Sequence, residues 1–177
     1  MMLRLFSMLV FFCFATLVSA QEKLTWNENR QLAWDDFQSK GIPISSKAAA
    51  TTFCGISYWL NSSTKKKFTT RQVKIEAFFV PSKSWAHRDH KTDFVLMHEQ
   101  SHFDIAELFA RRFRKLISDK TMDAKMLHNY YARIYDDYKV YQQDYENVTS
   151  HGRIWEKQLE YTAKINDEIK KLSDFKI

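Results

Sequence analysis

Hydrophobic and polar positions change their spacing near the middle of the chain, which separates a strand-like half from a helical half. In the first half, strand-like segments lie at 24–34, 48–60 and 71–80, and the last two carry β-branched and aromatic residues in partial alternation. The last two flank a polar, lysine-rich stretch, which predicts an antiparallel hairpin. Pro81 ends the third segment, because proline has no N–H for a strand ladder. We expect 74–80 to be an edge strand that can pair with an extended peptide.

In the second half, apolar residues recur at steps of three and four, and this spacing is typical of helices. It predicts three helices, at about 94–117, 122–146 and 154–172, with Asp93 as the N-cap of the first. Strands followed by helices indicate an α+β domain in which a small antiparallel sheet packs on a helical half.

The amino-terminal segment has the pattern of a secretory signal peptide. One positive charge at Arg4 precedes an apolar run that is too short to span a bilayer, and small residues follow at Ser19 and Ala20. We expect cleavage after Ala20, a single domain at 21–177, and a secreted or periplasmic location. Only Cys54 then remains, so the mature chain has no internal disulfide, and we expect this thiol to be buried.

The net charge of +6 comes partly from two basic clusters. One is the lysine run at 65–67, and the other is formed by Arg111, Arg112, Arg114 and Lys115. We expect a solvated turn and a solvated helix face. No nucleic-acid motif accompanies the clusters, so their charge does not indicate a nucleic-acid partner.

Candidate chemistry lies in the first predicted helix, in the sequence FVLMHEQSHF. His98 and His102 are four residues apart, so a helix makes their side chains neighbours that can bind one zinc ion. Glu99 lies about 100° around the helix axis, where it can reach a water on that ion and act as general base. This arrangement is that of a zinc metallopeptidase.

The third zinc ligand must come from another part of the chain. Asp104 and Glu107 follow the motif, but helix geometry turns them away from the two histidines. We predict His151, because a Thr-Ser-His-Gly stretch breaks the helical pattern there. Glu156 and Glu160 stay open as alternatives, since many zinc peptidases take a glutamate from a downstream helix.

Two further groups of residues have less specific patterns. His87 and His90 are most simply a polar loop, although their place between strand and helix would also suit a substrate cleft. Tyr138, Tyr141 and Tyr145 recur at helical spacing, which favours core or rim positions. One of these tyrosines could alternatively stabilise an oxyanion through its hydroxyl.

The string HEQSHFD with a later Ala-Arg pair, and the string TSHG, resemble a bacterial family of secreted proteins of uncharacterised function that are predicted to be zinc-dependent proteases. Tyr161 stands where that family has a tryptophan. The resemblance adds support for His151 as a ligand and implies no particular substrate. The residues that carry it are Leu32, Trp34, Asp36, Phe37, Gly41, Pro43, Ile56, Tyr58, Phe79, Pro81, Ser84, Trp85, His98, Glu99, Gln100, His102, Phe103, Asp104, Ala110, Arg111, Thr149, His151, Gly152 and Gln158.

The sequence therefore predicts an α+β, zincin-like metalloprotease of peptide or protein substrates, without a transmembrane segment in the mature chain. His98, His102 and His151 would bind Zn²⁺, and Glu99 would be the catalytic base. Two alternatives stay open: a non-catalytic secreted binding or structural protein that keeps the metal-binding helix, and a metal-dependent hydrolase of the cell envelope.

Overall fold

The structure, a computed structural model, describes residues 23–41, 48–61 and 66–177. The predicted signal peptide, Pro43 and Lys65 lie outside these ranges. Within them, no helix has both the length and the apolar character needed to cross a membrane.

The predicted hairpin is present as the longest strand pair. Strand β3 (Cys54–Leu60) runs antiparallel to β5 (Val73–Phe79) over its full length. The other strands are two-residue segments: β1 (Leu24–Thr25) pairs with β5, β2 (Ala50–Thr51) with β6 (Trp85–Ala86), and β4 (Phe68–Thr69) with β7 (Thr121–Met122).

The predicted edge strand is instead the central strand of its sheet. The strand order is β1-β5-β3, so β5 has a neighbour on both sides. The alternation of its side chains predicted a strand but carried no information about its neighbours. The prediction that 74–80 forms an open edge is therefore wrong.

Most of the first predicted strand, 24–34, is not a strand. After β1 the chain turns, because the Asn27 side chain accepts a hydrogen bond from Asn29 N at 2.8 Å and Asn27 O accepts one from Arg30 N at 3.1 Å. Asparagine side chains favour such turns by bonding to the backbone two residues later. A short 3-10 helix at Trp34–Asp36 follows.

All three predicted helices are present: α1 (Asp93–Ile117), α2 (Ala124–Thr149) and α3 (Trp155–Lys170). The N-cap of α1 is Thr92 rather than Asp93, because Thr92 Oγ1 accepts a hydrogen bond from Val95 N at 3.2 Å. Both residue types can cap a helix, and the extended backbone at Thr92 places the helix start one residue earlier than predicted.

Helix α1 lies at the centre of the fold, because it packs against β3 and β5 as well as against α2 and α3. Its buried apolar residues therefore occur around most of its circumference, among them Ile105, Leu108, Phe109, Phe113 and Ile117. The chain is a mixed helix-and-sheet structure with one main core, as the α+β prediction requires.

Part of the basic cluster on α1 is buried, so the prediction of a solvated helix face is wrong for Arg111 and Arg114. Glu107 is 2% exposed and accepts hydrogen bonds from Arg111 Nε at 2.8 Å and Arg114 Nη1 at 3.1 Å. Remaining donors reach Ile169 O and Ile75 O, each at 3.0 Å. A buried charge is tolerated when it is paired in this way.

Candidate metal centre

The first two residues of the centre are neighbours on α1, as predicted. His98 and His102 lie one helical turn apart, and their Nε2 atoms are 3.2 Å from each other. The imidazole rings are nearly perpendicular, with centroids 4.7 Å apart. Both side chains are largely buried. The two ring nitrogens therefore face the same small volume.

A third donor comes from α2. Glu146 Oε1 lies 3.2 Å from His102 Nε2, and Glu146 Oε2 lies 3.6 Å from His98 Nε2. Ligand atoms of these three residues all lie within 4.8 Å of one another, so the group could hold a metal ion. Glu146 is not predicted from the sequence, because a lone glutamate near the end of a predicted helix has no local pattern that relates it to the histidine motif.

The electrostatics of this group favour an anionic Glu146. Burial alone raises the pKa of Glu146, but hydrogen bonds from His102 and His98 outweigh it and hold that pKa well below its usual value. For His102, burial alone lowers the pKa, whereas the contact with Glu146 raises it, and the net pKa lies above the usual value. A carboxylate beside two imidazoles attracts positive charge, whether a proton or a metal ion.

Glu99 lies beside the donors and is 4% exposed. Its Oε2 is buried and has no hydrogen-bond partner among the described residues. Such an oxygen is costly in a folded protein and calls for an explanation, for example an ion or a water. Glu99 also lines the cleft next to the histidines. Glu99 therefore has a carboxylate oxygen without a described partner, on a residue that lines the cleft beside the histidines.

An open cleft of about 350 Å³ adjoins the donor group. One wall consists of three small residues, Ala48, Ala49 and Ala50, and His90 lies at its rim. His90 is exposed, and its ring centroid lies 6.0 Å from that of His87. The sequence predicts for this pair either a polar loop or part of a substrate cleft, and His90 does line the cleft.

His151 lies outside the converging group, on its outer side. The side chain is 65% exposed, and its Nδ1 is 2.9 Å from Glu146 Oε2. Glu156 and Glu160 are also exposed, and Glu160 pairs with Lys157 at 2.8 Å. The assignment of His151 as a zinc ligand stays a prediction. The structure adds Glu146 as an alternative third ligand, because its carboxylate oxygens lie close to the Nε2 atoms of both histidines.

The turn between α2 and α3 packs directly against the centre. Ser150, His151 and Gly152 all have left-handed backbone conformations, with φ of 50°, 57° and 71°. A Cβ on Gly152 would lie 2.9 Å from His98 Cγ. Glycine is therefore required here by both its positive φ and the closeness of the imidazole.

Asp104 lies away from the metal-ligand group, as helix geometry predicted. Its Oδ1 accepts hydrogen bonds from Trp26 Nε1 at 2.7 Å and Gln100 Nε2 at 2.8 Å. Burial raises the pKa of Asp104 to about 6. Asp104 thus holds the amino-terminal segment against α1, and Glu107 pairs with the buried arginines described above.

The predicted core tyrosines and Cys54 pack behind the centre. Tyr145 is fully buried, stacks on His98 with a centroid distance of 4.9 Å, and meets His102 edge-on. Tyr138 is buried and donates to Cys54 O at 3.3 Å. Cys54 is half-buried, with Sγ 3.4 Å from His102 O. These contacts support the backbone and rings of the two histidines from the protein interior.

The donor set suits zinc. Zinc binds imidazole nitrogens and carboxylate oxygens, and catalytic sites commonly use three protein ligands so that a fourth position is left for water. Two imidazoles with one carboxylate match that pattern.

Comparisons of the chain with protein-family models, with curated proteins and with solved structures find no match.

Proposed function

We propose that this protein is a zinc-dependent, zincin-like metallopeptidase in which His98, His102 and Glu146 bind the metal and Glu99 is the general base. The observation that carries the proposal is the convergence of three donor atoms within 4.8 Å, next to a buried carboxylate oxygen of Glu99 that has no partner among the described residues. The HExxH spacing and the resemblance described above add support.

In the proposed mechanism, His98, His102 and Glu146 would hold the metal, and Glu99 would transfer the proton. Zinc, when bound, supplies Lewis acidity that brings the pKa of a coordinated water near 7. Glu99 would be the proton acceptor for the attacking water, through the buried Oε2 that has no partner among the described residues, and would return that proton to the leaving amine. The alanine wall at 48–50 leaves the cleft open to an extended peptide backbone.

The experiment pairs metal content with hydrolysis on the protein that starts at Gln21. The parent should bind one zinc and cleave casein. Glu99→Gln should keep the zinc and lose cleavage, because an amide cannot take up the proton. Asp136→Asn, a change at an exposed carboxylate that pairs with Lys139, is the control and should behave as the parent. Retained cleavage in Glu99→Gln would contradict the mechanism.

A non-catalytic, metal-stabilised binding protein is the second candidate. It is favoured by one observation: His151 Nδ1 lies 2.9 Å from Glu146 Oε2, so a fourth protein donor stands near the group. A structural zinc site uses four protein ligands, whereas a catalytic site keeps a water. X-ray absorption spectroscopy of the zinc protein separates the two, because four protein ligands without water would favour the binding protein.

A hydrolase of the cell envelope uses the same site on another substrate. Incubation with purified peptidoglycan beside casein distinguishes it from a peptidase of proteins. Release of soluble fragments from peptidoglycan alone would assign the activity to the envelope.

A further inference from the structure

Each histidine of the metal-ligand group contacts a glutamine from a different helix. His102 Nδ1 lies 2.6 Å from Gln142 Oε1 on α2, and His98 Nδ1 lies 2.9 Å from Gln158 Oε1 on α3. Gln158 is fully buried and Gln142 is half-buried. Neither residue belongs to the donor group itself, and the HExxH pattern does not predict either contact.

The orientation of both glutamine amides is fixed by the backbone of α1. Gln142 Nε2 donates to His102 O at 2.9 Å, and Gln158 Nε2 donates to Phe94 O at 3.2 Å. A carbonyl oxygen accepts hydrogen bonds only, so the NH₂ end of each amide must point to the backbone. The Oε1 end therefore faces the histidine, and the hydrogen between Oε1 and Nδ1 must belong to Nδ1.

We propose that Gln142 and Gln158 are positioning residues that hold His102 and His98 in the Nδ1–H tautomer and so present both Nε2 lone pairs to the metal. The inference rests on the proposed function for its metal, but the tautomers are a property of the metal-free protein. Free histidine prefers the opposite tautomer, with the hydrogen on Nε2. The two glutamines thus select the less common form at both ligands.

The consequence, when both rings are neutral, is a group of three hydrogen-bond acceptors. With hydrogens on both Nδ1 atoms, the Nε2 atoms face each other at 3.2 Å, and Glu146 Oε1 is 3.2 Å from one of them. Acceptors so close to one another are unfavourable unless a cation, either a proton or a metal ion, lies between them. Gln142 and Gln158 therefore make the group selective for a cation, because each neutral ring presents its Nε2 lone pair to the same volume.

The glutamines also connect the site to helix packing. Gln142 reaches α1 only when α2 is docked, and Gln158 only when α3 is docked. A Cβ on Gly152 would lie 3.3 Å from Gln158 Oε1 and 3.0 Å from His98 Nδ1, so glycine leaves the space for this contact. The histidine motif is local, whereas its tautomers depend on two other helices.

The first test reads the tautomers directly, by long-range ¹H–¹⁵N NMR of the histidine rings in the metal-free protein at alkaline pH. The parent should show Nδ1–H at both His98 and His102. Gln142→Leu should convert His102 to the Nε2–H tautomer and leave His98 unchanged. Gln143→Leu, an exposed neighbour on α2 that bonds to Asn147, is the matched control and should change neither ring. Nε2–H at either histidine of the parent would overturn the inference.

The second test measures zinc affinity by competition with a chelator. Loss of the contact in Gln142→Leu should weaken zinc binding by about 10- to 100-fold, the usual effect of removing a partner of a ligating histidine. Gln142→Glu keeps an acceptor for Nδ1–H and should stay within a few-fold of the parent. Gln143→Leu should match the parent. Unchanged affinity in Gln142→Leu, with circular dichroism that shows a folded chain, would overturn the inference.

The two proposals fail separately. Expected tautomers and zinc affinities without any hydrolysis would refute the peptidase and support the role of Gln142 and Gln158. Hydrolysis by a parent with Nε2–H tautomers would support the peptidase and refute the role of the glutamines.

Discussion

Glu146→Gln is the change that tests the centre most directly, because it removes the negative charge from the donor group and keeps the shape of the side chain. The carboxylate is the anionic donor beside the two imidazoles, with Oε1 at 3.2 Å from His102 Nε2 and Oε2 at 3.6 Å from His98 Nε2. Zinc takes a carboxylate oxygen as a ligand, and a neutral amide in its place is a weaker ligand. We expect a roughly hundredfold weaker affinity for zinc, which is about 2.7 kcal/mol.

This loss of affinity has a measurable effect on thermal unfolding. Zinc at a thousandfold excess over its Kd stabilises a folded chain by about 4.1 kcal/mol. With a hundredfold weaker Kd, the same zinc concentration stabilises it by about 1.4 kcal/mol. For a domain of this size, that difference lowers the Tm of the zinc-bound protein by roughly 5–11 °C. The metal-free Tm should fall as well, because the lowered pKa of Glu146 means that its contacts with His102 and His98 stabilise the metal-free chain. The quantity compared between proteins is therefore the shift in Tm on adding zinc.

The assay is differential scanning fluorimetry with and without zinc, on the parent, Glu146→Gln and His151→Ala. Asp136→Asn is the control, because it changes an exposed carboxylate that pairs with Lys139 and is not a candidate ligand. We expect the zinc-induced shift to shrink in Glu146→Gln and to persist in the control. A full shift in Glu146→Gln together with its loss in His151→Ala would refute Glu146 as the third ligand and return that role to His151.

Two further changes and one labelling experiment test the surroundings of the centre. Glu107→Gln leaves two buried guanidiniums without their carboxylate, so urea denaturation should show a loss of about 3–5 kcal/mol, and a loss below about 1 kcal/mol would contradict the buried pairing. Gly152→Ala adds a Cβ at positive φ, 2.9 Å from His98 Cγ, so both the Tm and the zinc affinity should fall, whereas unchanged values would show that the turn adapts. Burial raises the pKa of Cys54 from 9.0 to about 12, so its thiolate fraction near neutral pH should be roughly a thousandfold below that of an unperturbed thiol. Labelling with a thiol reagent should therefore be far slower in the native chain than in urea, and equal rates would disprove this.

The sequence predicted strands and helices well, because their patterns lie within one segment. It predicted less well those features that depend on which elements pack against each other. The hairpin of β3 and β5 and all three helices follow from alternation and helical spacing within each segment. The position of β5 in its sheet does not, because a two-residue strand, β1, covers its other side. Short strands have too few residues to show a period.

The buried arginines are a second feature that the sequence pattern could not predict, because a run of charges does not show which of its members are buried. Arg111 and Arg114 belong to a basic run, and such a run usually faces water. Here α1 is packed on several sides, so part of the run is enclosed and needs Glu107 as its partner. The spacing of Glu107 and Arg111, four residues apart, was the available signal, but burial of the pair depends on what packs over it.

For the candidate site, the sequence by itself determined the pairing of His98 with His102 and the place of Glu99 beside them, because helical periodicity fixes neighbours three and four residues apart. The tertiary structure alone decided the third member of the donor group, Glu146 from α2, and the two glutamines from α2 and α3 that contact its histidines. These residues meet the motif through helix docking, and docking depends on the packing of whole faces rather than on spacing along the chain.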